Sequence, residues 1–327
     1  MSAFQLRRAP PGAVGAGGNE PSRPAAAVVA KVGEVVLGKE GPVRLALAAM
    51  LARGHVLVED IPGVGKTTLG HVLARALGLT FRRIQFTSDL LPADILGVSV
   101  YDQSKMRFEF HPGPIFTHVV LADEINRATP KAQSALLEAM GEQQVSQDGE
   151  TRRLPEPFFV IATQNPSTQA GTFPLPESQL DRFLMRIELG YPNPQAERAL
   201  LAGRDRRELI ETMSPVIDAR TLIAMQSAVA DVHVGDALLD YLQALLAYTR
   251  ESPDFELGLS PRAGLGLLRA AQAWAFTGGR AHVLPEDVQA VLPATVGHRL
   301  HPAGERAGLA RGSGAIAERL VRAVPIP

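Results

Sequence analysis

At 327 residues the chain is long enough for two domains of ordinary size, about 100–200 residues each, and 46% hydrophobic against 20% charged residues describes a globular protein with an ample core. A net charge of −1, with five Lys beside 28 Arg, supplies no global attraction for nucleic acid or an anionic membrane. The absence of Cys excludes a disulfide framework, a thiol nucleophile and Cys-ligated zinc and fits a reducing compartment; of the eight His only His298 and His301 stand close, too few for a metal site.

Residues 1–27 carry Pro10-Pro11, Gly12, Gly15, Gly17-Gly18 and Pro21 without a sustained hydrophobic period and read as a disordered tail. Arg7 and Arg8 are not followed by an apolar stretch, so the start is a poor signal peptide, and no later apolar run approaches the roughly 18 residues of a membrane span. The expected location is the cytoplasm. A helix is expected from about Pro42 to Gly54. Val56-Leu57-Val58 then reads as a short buried strand, and Leu69, Val72, Leu73 and Ala76 form the stripe of an amphipathic helix. Between them stands Ile61-Pro62-Gly63-Val64-Gly65-Lys66-Thr67-Thr68. A Gly-Lys-Thr turn between strand and helix is where backbone N–H groups and the positive end of a helix dipole converge on an anion. Asp60 occupies the place where the usual phosphate-loop pattern has its first Gly.

A second strand is expected over Phe81 to Phe86. From Leu90 to Ile115 the pattern is irregular, but Met106, Phe108 and Phe110 alternate with Arg107 and Glu109 as in a hairpin strand that His111-Pro112-Gly113-Pro114 ends. Val119-Val120-Leu121-Ala122 reads as a strand buried on both faces, and Asp123-Glu124 stands at its carboxyl end, where open α/β sheets bind ligands. Thr129 and Pro130 read as the N-cap and first residue of a helix with Ala132, Ala135, Leu136, Ala139 and Met140 buried. Val145 to Leu154 is expected to be a hairpin turning at Asp148-Gly149. Phe158 to Ala162 is another apolar strand with Thr163-Gln164-Asn165 at its end, and a fifth runs from Phe183 to Leu189 after Asp181-Arg182. Beyond Tyr191-Pro192-Asn193-Pro194 helical periods dominate, among them one from Gln195 to Glu211, and a domain boundary is placed near Pro192. In the helix opened by Ser260-Pro261, Arg262 sets a cation against the helix dipole, which suggests a nearby anion.

Glu59 to Thr67, Asp123-Glu124-Ile125-Asn126-Arg127-Ala128, Ala162 to Pro166, Leu180-Asp181-Arg182-Phe183-Leu184 and Leu259-Ser260-Pro261-Arg262-Ala263 together resemble an AAA+ ATPase, and more narrowly the MoxR family. The resemblance covers roughly residues 30 to 300. It implies a P-loop core with a parallel five-stranded sheet between helices over residues 28–191, an insert at about 90–115 and a second hairpin at about 144–155. A helical lid would follow over 192–327.

By the same resemblance Gly63, Val64, Gly65, Lys66, Thr67 and Thr68 hold the phosphates of ATP, Thr67 and, usually through water, Asp123 position Mg²⁺, and Glu124 is the general base. Asn165 orients the attacking water or contacts the γ-phosphate, and Arg262 senses the nucleotide from the lid. Arg182 is the arginine finger, with Arg186 as its rival, and completes the site of the neighbouring copy. The implied assembly is a hexameric ring acting on a protein client, often one with a von Willebrand factor A domain, in the maturation or insertion of a metal cofactor. Phe108 and Phe110 either touch that client or pack within their hairpin. Other readings are a nucleic-acid motor, which the charge balance disfavours, a metal-chelatase motor subunit, and a nucleotide-switched scaffold, against which the complete set of Lys66, Asp123, Glu124 and Arg182 argues.

Overall fold

The computed structural model describes residues 22–165, 172–203, 205–303 and 312–326. Most of the expected tail, residues 1–21, and Pro166 of the fourth strand's motif lie outside them. The chain forms two compact units, one from Ala27 to Ala224 and the other from Met225 onward together with the residues before Ala27.

The chain enters through α1 (Arg23–Gly33) and α2 (Glu40–Leu51). The expected tail is therefore too long: residues 23–27 are helical, because Ala25, Val28 and Val32 recur at helical spacing and are fully buried. There follow β1 (His55–Glu59), α3 (Lys66–Ala76) and β2 (Phe81–Gln85), then a short α4 (Pro92–Leu96) and the antiparallel hairpin β3 (Gly97–Asp102) and β4 (Arg107–Pro112). These last three make up the expected insert. Next come β5 (Val119–Asp123), a single 3-10 turn over Ile125–Arg127, α5 (Pro130–Glu142) and the second hairpin, β6 (Gln144–Gln147) and β7 (Glu150–Arg153). The hairpin turns where expected, with Asp148 and Gly149 both at positive φ. The core closes with β8 (Phe159–Gln164), α6 (Glu177–Leu180) and β9 (Phe183–Ile187).

Strands β2, β5, β8, β1 and β9 lie side by side in that order, all parallel. Every residue of β5 is buried, and Leu57, Val120, Val160 and Phe183 join Leu136 and Met140 of α5 in one core cluster. The expected stripe of α3, Leu69, Val72, Leu73 and Ala76, is fully buried. With every pair parallel, the ends of β1, β5 and β8 carry the polar residues of all three to the same edge of the sheet.

The segment after β9 corrects two expectations. It holds two helices, α7 (Pro194–Ala202) and α8 (Arg206–Glu211), where one was expected; Gly203 caps the first. Both belong to the sheet's unit, whose limit falls at Ala224 and not near Pro192. For α8 the reason is a set of bonds to α3: the Arg75 side chain donates to the main-chain carbonyls of Met213 and Glu211 at 2.9 and 3.2 Å, and the Val216 amide donates to the Ala76 carbonyl at 2.8 Å.

The remaining helices are α9 (Ala219–Ala230), within which the division falls, α10 (Asp236–Glu251), α11 (Pro261–Thr277), α12 (Pro285–Val296) and α13 (Ser313–Ala323). α12 continues through Pro293. Among the described residues no helix is long and apolar enough to cross a membrane.

Candidate active site

The loop from β1 to α3 takes left-handed conformations at Gly63 (φ +85°) and Gly65 (φ +95°), the latter capping α3. A Cβ at either would meet nothing within 4 Å, so the loop borders an open hollow at the first turn of the helix. Lys66 is buried and its ammonium donates to the Asn165 side-chain oxygen at 2.7 Å, to the carbonyls of Ile61 and Gln164 at 3.3 Å each, and to the Asp60 carbonyl. Burial holds this ammonium below its ordinary pKa, and Asp60, Asp123, Glu124 and Glu59 oppose the shift.

Thr67, the next residue of α3, donates through Oγ1 to Asp123 Oδ2 at 3.2 Å. The other oxygen of Asp123 accepts from Thr163 Oγ1 at 2.5 Å, and that same hydroxyl accepts from the Glu124 amide at 2.9 Å. Glu124 has a left-handed backbone (φ 57°, ψ 48°), an uncommon state for a residue with a side chain and one that collects at functional sites. Its carboxylate accepts from Asn165 Nδ2 at 3.3 Å, Gln85 Nε2 at 3.1 Å and Arg127 at 2.9 Å. Lys66, Thr67, Asp123, Glu124 and Asn165, drawn from two strand ends and one helix start, are therefore in hydrogen-bonded contact. Such a set offers a cation and backbone donors to an anion, and a carboxylate with an adjoining amide to a water molecule.

A family model described as the ATPase family associated with various cellular activities (AAA) matches residues 55–185, and one described as an AAA lid domain matches residues 247–319. The chain is 47% identical over 301 residues to the uncharacterized protein YeaC of Bacillus subtilis (strain 168), covering 91% of this chain and 93% of that one. It is 41% identical over 279 residues to the chaperone MoxR1 of Mycobacterium tuberculosis (strain ATCC 25618 / H37Rv), covering 83% and 74%. With the protein MoxR of Paracoccus denitrificans it shares 35% identity over 291 residues, covering 81% and 85%. The chain belongs to the MoxR family of AAA+ ATPases. A crystal structure of a candidate ATPase from Cytophaga hutchinsonii ATCC 33406 superposes on this MoxR-family fold with a TM-score of 0.85 at 35% identity, covering 94% of this chain and 96% of the other.

Arg182, an expected site residue, is engaged outside the contacting five in this MoxR-family ATPase. The Arg182 guanidinium donates to the Leu137 carbonyl on α5 at 2.8 Å, and its rival Arg186 pairs with Glu59 at 3.0 Å. Arg262 belongs to the other compact unit, where it is exposed in the first turn of α11; Ser260 caps that helix by accepting from the Ala263 amide at 3.1 Å.

Three residues take parts that sequence reasoning did not assign. Asp60, noted only as a departure from the phosphate-loop pattern, accepts from the Ile61 amide with one oxygen at 2.7 Å. Its other oxygen accepts from the amides of Leu189 and Gly190 at 2.7 and 2.6 Å. The missing glycine is thus a clamp between the loop and the segment after β9. Gln85 reaches Glu124, and Arg83 reaches Asp123 through Nε at 2.9 Å and Nη2 at 2.7 Å. The only sequence sign of the latter pair was period-two alternation in a strand paired to the one ending in Asp123-Glu124.

Proposed function

We propose that this ATPase hydrolyses ATP at a site completed by the neighbouring copy in a hexameric ring and uses the cycle to remodel a protein client in the cytoplasm. The observation that carries the reading is the contact set of Lys66, Asn165 and Glu124 on one side and Thr67 with Asp123 on the other. The residues fit a magnesium nucleotide. The hollow beside Gly63 and Gly65 is open to phosphate, while Thr67 and Asp123 offer only oxygen donors, which Mg²⁺ takes in small number beside phosphate and water. Bound there, Mg²⁺ would neutralise charge on the phosphates.

In this reading the backbone from Gly63 to Thr68 and the Lys66 ammonium bind and orient the phosphates. Glu124 accepts the proton of the attacking water, and Asn165, bonded to Lys66 and Glu124 at once, holds that water's position. Arg182 acts on the next copy, releasing Leu137 to reach it. The phosphate-sensing role of Arg262 rests on the family resemblance.

A client of protein type is supported by the relative named as a chaperone and by the first hairpin. Met106 and Phe108 are 79% and 71% exposed there, the kind of apolar display that marks a contact surface. Phe110, by contrast, packs edge-on against Phe116 and lies under Arg152 of the second hairpin, so neighbours outside its own hairpin hold it, while Phe108 meets Tyr101 within the hairpin. The resemblance further points to a client awaiting a metal cofactor, often one with a von Willebrand factor A domain.

Mixing Arg182→Ala with Lys66→Ala subunits tests the shared site. Each variant alone should hydrolyse ATP poorly, while mixtures should regain part of the turnover, because an intact loop can then face an intact arginine. No recovery at any ratio, with both variants assembling, would refute action of Arg182 between copies.

A further inference from the structure

Asp123 is already engaged by a cation from its own chain. β2 and β5 pair in parallel with Gln85 opposite Asp123, and the two-residue period of a strand puts Arg83 and Gln85 on one face. Both nitrogens that Arg83 offers fall on Oδ2, at 2.9 and 2.7 Å, the same oxygen that accepts from Thr67. Oδ1 accepts one bond, from Thr163, and keeps one lone pair. A carboxylate oxygen has two lone pairs, so Oδ2 has no free one for a metal ion.

We propose that Arg83 is a positioning residue that serves as the resident counter-ion of Asp123 and must surrender Oδ2 when the divalent cation of the nucleotide, or a water of its shell, binds there. The proposal rests on the reading of Asp123 as a metal-positioning residue. Asymmetry of exposure supports it: the Asp123 side chain is 8% exposed and that of Arg83 50%. A buried carboxylate stripped of its partner is costly, whereas a half-exposed guanidinium finds water at once. Charge enforces the exchange, since a divalent cation at Oδ2 would repel the guanidinium at contact distance.

The release has a second consequence. Arg83 Nη2 also donates to Gln85 Oε1 at 2.5 Å, which turns the Gln85 amide so that its nitrogen faces Glu124. Arg83 therefore connects the two acids: when it leaves Asp123, Gln85 loses the bond that aims it at Glu124. Arrival of the ion at one carboxylate is conveyed to the other.

The test needs no turnover. Affinity for a fluorescent, non-hydrolysable ATP analogue is measured on the full chain with EDTA and with Mg²⁺, for the unaltered protein and for Arg83→Met, Arg83→Lys and Asp123→Asn. If Arg83 competes with the ion, Arg83→Met leaves the affinity in EDTA within about twofold and enlarges the gain from Mg²⁺ by about tenfold, the value of one charge-assisted bond. Arg83→Lys, which keeps the charge and the fold but not the paired donors, should fall between. An unchanged Mg²⁺ gain in both Arg83 variants, or lower affinity in EDTA as expected of a phosphate ligand, overturns the proposal. Asp123→Asn separates the two levels: it should abolish most of the Mg²⁺ gain, and if it does not, the metal reading of Asp123 fails first.

Discussion

The Lys66 ammonium donates to the side-chain oxygen of Asn165 across 2.7 Å, which ties the phosphate loop after β1 to the end of β8. With its oxygen turned to the cation, the same amide turns its nitrogen to Glu124. One side chain thus sets the spacing between the candidate phosphate-binding charge and the candidate general base.

Asn165→Ala should therefore lower kcat by about 10²-fold, the low end for a group acting in proton transfer, with little change in nucleotide affinity. Asn165→Asp should weaken nucleotide binding as well, because a carboxylate would pair with Lys66 and stand against Glu124. Steady-state kinetics beside equilibrium binding of a fluorescent analogue separates the two effects. Equal affinities for both variants would count against the bridging role.

Glu124→Gln should bind ATP as the unaltered protein does, hydrolyse it more slowly by about 10²–10⁴-fold, and accumulate as an assembled ring visible by size-exclusion chromatography with light scattering. Lys66→Ala should lose nucleotide binding. Normal turnover in Glu124→Gln would remove it as the base.

Asp60→Ala leaves the amides of Leu189 and Gly190 without the carboxylate that accepts from both. A loss of about 2–3 kcal/mol in unfolding free energy is expected from bonds to a charged acceptor, together with weaker ATP binding. Asp60→Asn, which keeps an acceptor without the charge, should lose about half as much. Chemical denaturation of the three proteins, with urea midpoints compared at constant m-value, measures this.

Stability should also fall on mild acidification. Burial lowers the imidazole pKa of His71, with Arg75 adding to the effect and Glu211 opposing it, and burial lowers that of His118. Both groups bind protons more readily in the unfolded chain. Their contribution is complete above the ordinary value of about 6.5 and is lost as pH falls through the depressed folded values. His71 stacks on Phe81 with ring centroids 4.7 Å apart at 13°, so His71→Phe keeps a ring there and removes the proton site. Thermal unfolding between about pH 7.5 and pH 5 should show a smaller drop in Tm for this variant than for the unaltered protein; parallel curves would disprove the assignment.

The central sheet was legible because its signals are local. Strands buried on both faces read as apolar runs, α3 reads from its stripe, and Asp148-Gly149 announces its turn. The five residues of the contact set were legible for the same reason, each standing at a strand end or helix start. What escaped depends on contacts distant in sequence. Nothing near Pro192 reveals that Arg75 will claim the carbonyls of Met213 and Glu211 and so hold α8 with the sheet. Arg83 and Gln85 look like the solvated face of a strand until the register sets Gln85 beside Asp123. Thr129 shows the reverse error: its backbone takes the expected place before α5, yet its side chain makes no capping bond.

β2 is one of the two edge strands of the sheet and has a single neighbour, β5. A member held along one side only is the part of a sheet most readily displaced. The two side chains that steady Asp123 and Glu124 are carried by this strand, while the acids themselves sit on its fully buried neighbour or just past its end. A shift of that outer rim would move Arg83 and Gln85, and through them the surroundings of both acids, from a place outside the candidate nucleotide site.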